Sequence, residues 1–294
     1  MSEASVSKEI VDRLAQLGDL PHVPEALLKL EQLLSEDSQA EIGDIVNLIA
    51  MDSRLTAGII FMANTVKYSL GAKVTELFEA VIRIGLHDVR MLAYAISYQH
   101  SFKRKPPFSE ERFMQQSMLC ALIANHLAQA ANLKSGEAFL AGLLKDIGIY
   151  LLALESREKY LEVLEKIDFN ILKLPLVENQ YFGTYHALMS ARLLQLWNFS
   201  QEVIMGVAYH HIPEKLSGPS QVYAFVTFLS ELGAFKLGFD NGIGEIPPEH
   251  WPMLQAKTEQ ALQALGLESE AYARILQNAL AEFEHLNVQS YSVQ

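Results

Sequence analysis

Ala138-Phe139-Leu140-Ala141-Gly142-Leu143-Leu144-Lys145-Asp146-Ile147-Gly148-Ile149-Tyr150-Leu151-Leu152-Ala153-Leu154 is the stretch on which the fold turns. It is apolar on both sides of a single Lys-Asp pair and shows no polar-apolar alternation. It therefore reads as helix from about Gly136 to Leu144, an interruption at Asp146-Ile147-Gly148, and helix again. Lys145 and Asp146 also break the best candidate for the run of about 18 apolar residues that a membrane span requires.

Outward from this stretch, apolar residues recur at spacings of three and four. Leu27, Leu30 and Leu34 form a stripe after Pro24, a residue suited to a helix's first turn. Ile42, Ile45, Val46 and Ile49 form another, and Leu55, Ile59 and Met62 follow with Ser53 as a plausible cap. Thr75 can cap a helix carrying Leu77, Ala80, Val81 and Ile84, which Gly85 stops. A further helix is expected from about His87 to Tyr98. Lys103-Arg104-Lys105-Pro106-Pro107 is the best internal boundary. Beyond it, helices are expected from Ser109 to about Ala131, Ser156 to Ile167, Tyr185 to Trp197, Ser200 to His210 and Gln221 to Leu237. Gly238 to Pro252 reads as a loop, followed by helices near Met253–Leu265 and Ser269–Leu286. The expected fold is all-α, a two-part helical bundle: one subdomain at 11–105, a second at 109–238, and a C-terminal helical extension at 239–294 that covers one face.

With half of its 294 residues hydrophobic, the chain can build a sizeable core without staples. Its formal net charge of −12 repels phosphate backbones and anionic lipid, arguing against general nucleic-acid or membrane binding. The short basic run Lys103-Arg104-Lys105 reads as a solvated loop in preference to a phosphate site. The single cysteine, Cys120, excludes an internal disulfide and reads as a small core residue. Met1-Ser2-Glu3-Ala4 has neither the basic nor the apolar region of a signal peptide, so a reducing, cytoplasmic setting is expected.

Phosphate-cradling glycine motifs and His-Glu-x-x-His are missing from the sequence. One constellation remains: Asp146, His186, the pair His210-His211, and Glu231, each expected on a different helix. Helix bundles gather metal ligands in this way, and imidazole with carboxylate suits divalent iron, manganese, zinc or nickel. A metal pair would activate water for attack on phosphorus. Each residue also has a plainer role. Asp146 can end a helix, His186 can be a hydrogen-bonded core histidine, and Glu231 a solvated or capping carboxylate. His210 and His211 stand about 100° apart on a helix, so one should face a site and the other the surface.

Several phrases in order resemble the HDOD family, the HD-related output domain of bacterial signalling proteins. They are Leu20-Pro21-His22-Val23-Pro24, Ile49-Ala50-Met51-Asp52-Ser53, Met62-Ala63-Asn64-Thr65 with Tyr68, and Ala80-Val81-Ile82-Arg83-Ile84-Gly85-Leu86. Ala141-Gly142-Leu143-Leu144-Lys145-Asp146-Ile147-Gly148, the run from His186 to Trp197, and Val207-Ala208-Tyr209-His210-His211-Ile212-Pro213 complete the match, which covers about Leu17 to Gly238. The family is related in fold to HD-type metal phosphohydrolases. The resemblance places Gln116 where those enzymes have an early histidine, and Lys145 where they have the first residue of the His-Asp pair. It keeps Asp146, sets Glu231 near a late aspartate, and makes His186 and His210 resemble the extra ligands of the two-metal branch.

A protonated lysine offers no lone pair and repels a dication, and an amide oxygen is a weak donor. The resemblance therefore implies a degenerate metal site in a non-catalytic regulatory module, with Lys145 offsetting the charge of Asp146 and nearby carboxylates in a metal's place. Such a module would bind a protein partner or a small nucleotide-like ligand and need no cofactor. The alternative is a phosphohydrolase acting on a nucleotide or cyclic dinucleotide with a divalent metal (iron, manganese, zinc, nickel or magnesium), in which Asp146, His186 and His210 are ligands.

Overall fold

The computed structural model of the chain describes residues 2–16, 29, 30, 33, 40–64, 68, 73–86, 88–90, 93 and 104–290. The first helix, α1, is Glu3–Gln16. It is followed by α2 at Ile42–Ala50, α3 at Ser53–Ala63 and α4 at Leu77–Ile84. After the proline pair come α5 (Glu110–Ala130), α6 (Ser135–Leu144), α7 (Ile147–Glu155) and α8 (Arg157–Ile167). Then follow α9 (Leu174–Phe182), α10 (His186–Leu196), α11 (Gln201–Ala208) and α12 (Gln221–Lys236). Two helices close the chain, α13 at Trp251–Ala264 and α14 at Ser269–Ser290. Among the described residues there is no strand; Asn170 and Glu245 form an isolated parallel bridge. No helix of these residues is long and apolar enough to cross a membrane. The fold is all-α, as its sequence pattern implies.

The chain divides into two compact units, Pro21–Lys103 and Met1–Leu20 joined with Arg104–Gln294. In the first, α2, α3 and α4 bury Ile45, Ile49, Leu55, Ile59, Ala80 and Val81 together. Asn64 braces their connection: its Nδ2 donates to the carbonyls of Ile60 and Val74, and its Oδ1 accepts from the Val74 amide at 2.7 Å. Gly85 ends α4 at φ +84, a conformation glycine adopts without strain. The cap of α3 differs from expectation. Asp52, one residue before Ser53, accepts the Leu55 amide, because an N-cap side chain must stand three residues before the donor it satisfies. The phrase Leu20–Pro24, the leucines 27 and 34, Thr65, most of the helix expected over 87–98, and Lys103 lie outside the described residues.

In the second unit, Ser109, Ser156 and Ser200 start α5, α8 and α11 by accepting the amides of Arg112, Lys159 and Val203. Helix α5 lies along α6 and α12, and α14 packs on α5. Helix α1 buries Ile10, Val11 and Leu14 and packs against α10 and α7. Its Ser7 hydroxyl meets that of Thr184 at 2.6 Å, two residues before α10 begins. Two helices have no counterpart in the periodicity reading, α1 and α9. Pro175 makes the start of α9 look like a breaker, yet it sits in the helix's first turn, where proline is tolerated. Pro252 does the same for α13, so that helix begins inside the stretch read as a loop.

Candidate functional site

Two glycines set the geometry of the site. A Cβ at Gly142 would lie 2.7 Å from the Cys120 carbonyl oxygen, so α6 packs backbone to backbone on α5. A Cβ at Gly148 would lie 2.0 Å from the His186 carbonyl oxygen, so the first turn of α7 rests directly on the start of α10. That contact is fastened by Ser190, whose hydroxyl accepts the Gly148 amide and donates to the Lys145 carbonyl, both at 2.8 Å. The helix break at 145–146 thus brings two charged residues, by backbone packing, against the helix that begins with His186.

Lys145, Asp146, His186, His210 and Glu231 converge there, all buried. The Lys145 ammonium pairs with Asp146 Oδ2 and, at 3.0 Å, with Glu231 Oε1. Asp146 occupies the N-cap position of α7 but makes no side-chain cap, because its carboxylate is turned to Lys145. The other oxygen, Oδ1, lies 3.7 Å from both His186 Nε2 and His210 Nε2. His210 Nδ1 is 2.6 Å from the Val207 carbonyl, which can only accept, so in the neutral ring Nε2 carries the lone pair. Asp146 Oδ1 and His210 Nε2 are both buried without a hydrogen-bond partner. Two acceptors face each other with no donor between them. Gln116, on α5, is buried as well; its Nε2 donates to the Phe239 carbonyl and its Oε1 is unpartnered.

Two participants are absent from the sequence-derived set, Glu178 and Tyr160. Glu178, fully buried on α9, accepts from the His186 amide (2.8 Å), from His186 Nδ1 (2.6 Å) and from the Tyr160 hydroxyl (2.9 Å). No spacing signal marks it, since its helix was itself hidden behind Pro175. His211 brings its Nε2 to 2.7 Å from His186 Nε2 and its Nδ1 to 3.8 Å from Glu231 Oε2. His211 is the partly exposed member of the pair, as expected, but the expectation that only one of the two faces the site fails for a local reason. Helix α11 ends at Ala208, and 210–211 lie in the following turn, where helical spacing no longer separates them. Both rings face His186, with ring-centre distances of 5.7 and 4.8 Å.

The electrostatics follow from burial and close charges. Burial opposes ionisation of Lys145, but Asp146 and Glu231 outweigh it and hold the ammonium above the usual lysine range. Burial likewise opposes the Asp146 carboxylate, and Lys145, then His186 and His210, outweigh it and hold the carboxyl below the usual range. Against the same burial, Glu178 and Asp146 raise His186. Burial pushes His210 down to about 3, with Lys145 and His186 adding to the effect. His211 is lowered well below the ordinary value by burial and by His210. Glu178 can only accept, so His186 Nδ1 donates to it, and the two facing rings are shifted in opposite directions, His186 up and His211 down.

Among the described residues, two overlapping donor sets could hold a metal ion: His186, His210 and His211, and Asp146, His210 and Glu231, each with donor atoms within 4.8 Å of one another. The side facing Asp146 Oδ2 and Glu231 Oε1 does not suit a dication, because the Lys145 ammonium is already there. The histidine side does. His186 and His210 each have Nδ1 anchored by an oxygen acceptor, the arrangement that orients Nε2 toward a metal.

The model of the HDOD domain matches residues 20–213, and the chain belongs to the HDOD domain family. Glu231, α1 and the last three helices fall outside that match. An HDOD domain protein of unknown function from Geobacter sulfurreducens has the same fold at TM-score 0.77, 21% identity, over 96% of this chain and 95% of that one. A candidate signal-transduction protein from Marinobacter aquaeolei VT8 aligns at TM-score 0.75 and 21% identity, over 100% and 67%. A candidate phosphohydrolase from Shewanella amazonensis SB2B aligns at 0.72 and 21%, over 94% and 97%. In sequence, the chain is 23% identical over 261 residues to an uncharacterized protein of Treponema pallidum (strain Nichols), covering 88% of this chain and 50% of that protein. The chain thus spans half the length of that relative.

Proposed function

We propose that the chain is a regulatory HDOD module that binds a protein partner or a small nucleotide-like ligand, and that its HD-type site is degenerate and non-hydrolytic. The observation that carries this reading is the Lys145 ammonium held between Asp146 and Glu231. A lysine cation balances two carboxylates as a metal would, but it has no empty coordination position. It therefore cannot bind water or a phosphoryl oxygen as a Lewis acid. Gln116 supplies a neutral amide where an imidazole would be needed. The likeness to the candidate signal-transduction protein of Marinobacter aquaeolei supports a regulatory role. The formal charge of −12 disfavours general nucleic-acid binding. A bacterial, cytoplasmic setting belongs to the same reading, as does a division of labour in which 109–238 carries the cluster and 239–294 covers one face.

A second reading is favoured by the facing acceptors Asp146 Oδ1 and His210 Nε2. Asp146, His186, His210 and His211 would hold one divalent ion, with zinc, iron, manganese or nickel suited to imidazole better than magnesium. Such an ion would supply charge and Lewis acidity. Glu178 and the Val207 carbonyl orient two of the rings, and the proton between His186 and His211 must leave when an ion binds.

Incubation of the full chain with bis(p-nitrophenyl) phosphate and manganese tests the main reading. The expected result is no turnover above buffer. Hydrolysis that Asp146→Ala abolishes would establish the phosphohydrolase instead. Calorimetric titration with zinc tests the second reading, which requires one site that His210→Ala removes.

A further inference from the structure

Arg104 and Lys105, from the basic run that reads as a solvated loop in sequence, form one wall of a cavity in the larger unit. The cavity, of about 130 Å³, is lined by Arg104, Lys105, Pro106, Tyr150, Ala153, Leu154 and Arg157. Its size is comparable to that of an engineered cavity of ~150 Å³ that accepts benzene. The wall is held in place. The Tyr150 hydroxyl, on buried α7, donates to the Arg104 carbonyl at 2.9 Å and accepts the Arg104 amide at 3.1 Å. Arg157 Nη1 donates to the Lys105 carbonyl at 3.1 Å.

Three cationic residues therefore contribute to the lining of one small hollow in a chain of net charge −12. Among the described residues, neither Lys105 nor Arg157 has a carboxylate partner, and the Arg157 contact is to a neutral carbonyl. Arg157 is also the first residue of α8, where backbone amides add positive potential. The remaining lining, Pro106, Ala153, Leu154 and the Tyr150 ring, is apolar. We infer that this cavity binds a small organic phosphate monoester, its oxyanion held by Arg157 and Lys105 and its apolar body against Leu154 and Tyr150. Arginine's fork of donors matches a phosphate oxyanion, and the apolar wall distinguishes an ester from the free ion.

The site is separate in residue content from the Asp146 cluster, so it stands or falls independently of the proposed function. The test is calorimetric titration of the full chain with phenyl phosphate and with inorganic phosphate. Arg157→Ala and Lys105→Ala alter exposed residues whose loss leaves the core intact, and Arg274→Ala on α14 is the charge-matched control. Phenyl phosphate should bind saturably and more tightly than inorganic phosphate. Arg157→Ala should weaken it about tenfold, the loss of one charge-assisted contact, and Arg274→Ala should leave it unchanged. Amide shifts should map to Ala153, Leu154 and Arg157. Absence of saturation at millimolar phenyl phosphate, equal losses in Arg157→Ala and Arg274→Ala, or shifts confined to other residues would overturn the assignment.

Discussion

Replacing Lys145 by alanine would leave Asp146 and Glu231 buried against each other with no cation between them. The ammonium is 1% exposed and touches both carboxylates, so water cannot substitute for it without opening the contact between α6, α7 and α12. Removing one partner of a buried ion pair costs about 3–5 kcal/mol. In a unit of this size each kcal/mol moves the melting temperature by about 2–4 °C, so Lys145→Ala should melt roughly 6–20 °C below the parent. The assay is thermal melting by circular dichroism, with urea titration to check that the m-value is unchanged. The triple variant Lys145→Met, Asp146→Asn, Glu231→Gln removes the charges together. It should recover much of the loss, since the penalty lies in unpaired charge and not in lost attraction. Zinc at 100 times its dissociation constant should restore about 2.7 kcal/mol to Lys145→Ala. A Lys145→Ala melt indistinguishable from the parent, or a triple variant less stable than the single, would refute the argument.

Other consequences are equally specific. Gly148→Ala should destabilise by about 3 kcal/mol or more, because its Cβ would meet the His186 backbone carbonyl, which cannot rotate away as a side chain could; urea denaturation reads this directly. Glu178→Gln should weaken zinc binding about 10–100-fold by releasing His186, with calorimetry as the measure, and equal affinity would remove Glu178 from the site. Burial pushes the Cys120 thiol up to about 12, so the folded state keeps a proton that the unfolded chain releases near pH 8.5. That contribution is complete below the unfolded value and is lost as pH rises from there toward 12. Alkaline urea midpoints should therefore fall less steeply in Cys120→Ala, and thiol labelling at pH 8 should track unfolding.

Helix periodicity was legible along most of the chain because serine caps and apolar stripes are local signals. Ser109, Ser156 and Ser200 mark helix starts in the sequence and in the structure alike. The two helices that escaped carry different lessons. Helix α1 buries only a narrow stripe, and α9 opens with a proline whose tolerance depends on its position in the first turn. The charged residues of the site were visible as residue types, but their partnerships were not. Lys145 and Glu231 stand 86 positions apart, and their contact depends on how α6 and α12 pack. Glu178 gives no sequence signal because a glutamate on a helix is ordinarily solvated, and only tertiary packing buries it under Tyr160 and His186. His211 was misplaced by extending helical geometry two residues beyond the last helical turn.

The substitution of a lysine cation for a metal is tested most directly by elemental analysis of full-length protein purified without chelator, quantified per chain. The account predicts no more than one divalent ion per chain, with Lys145→His raising the content. Two ions per chain in the parent protein would contradict it.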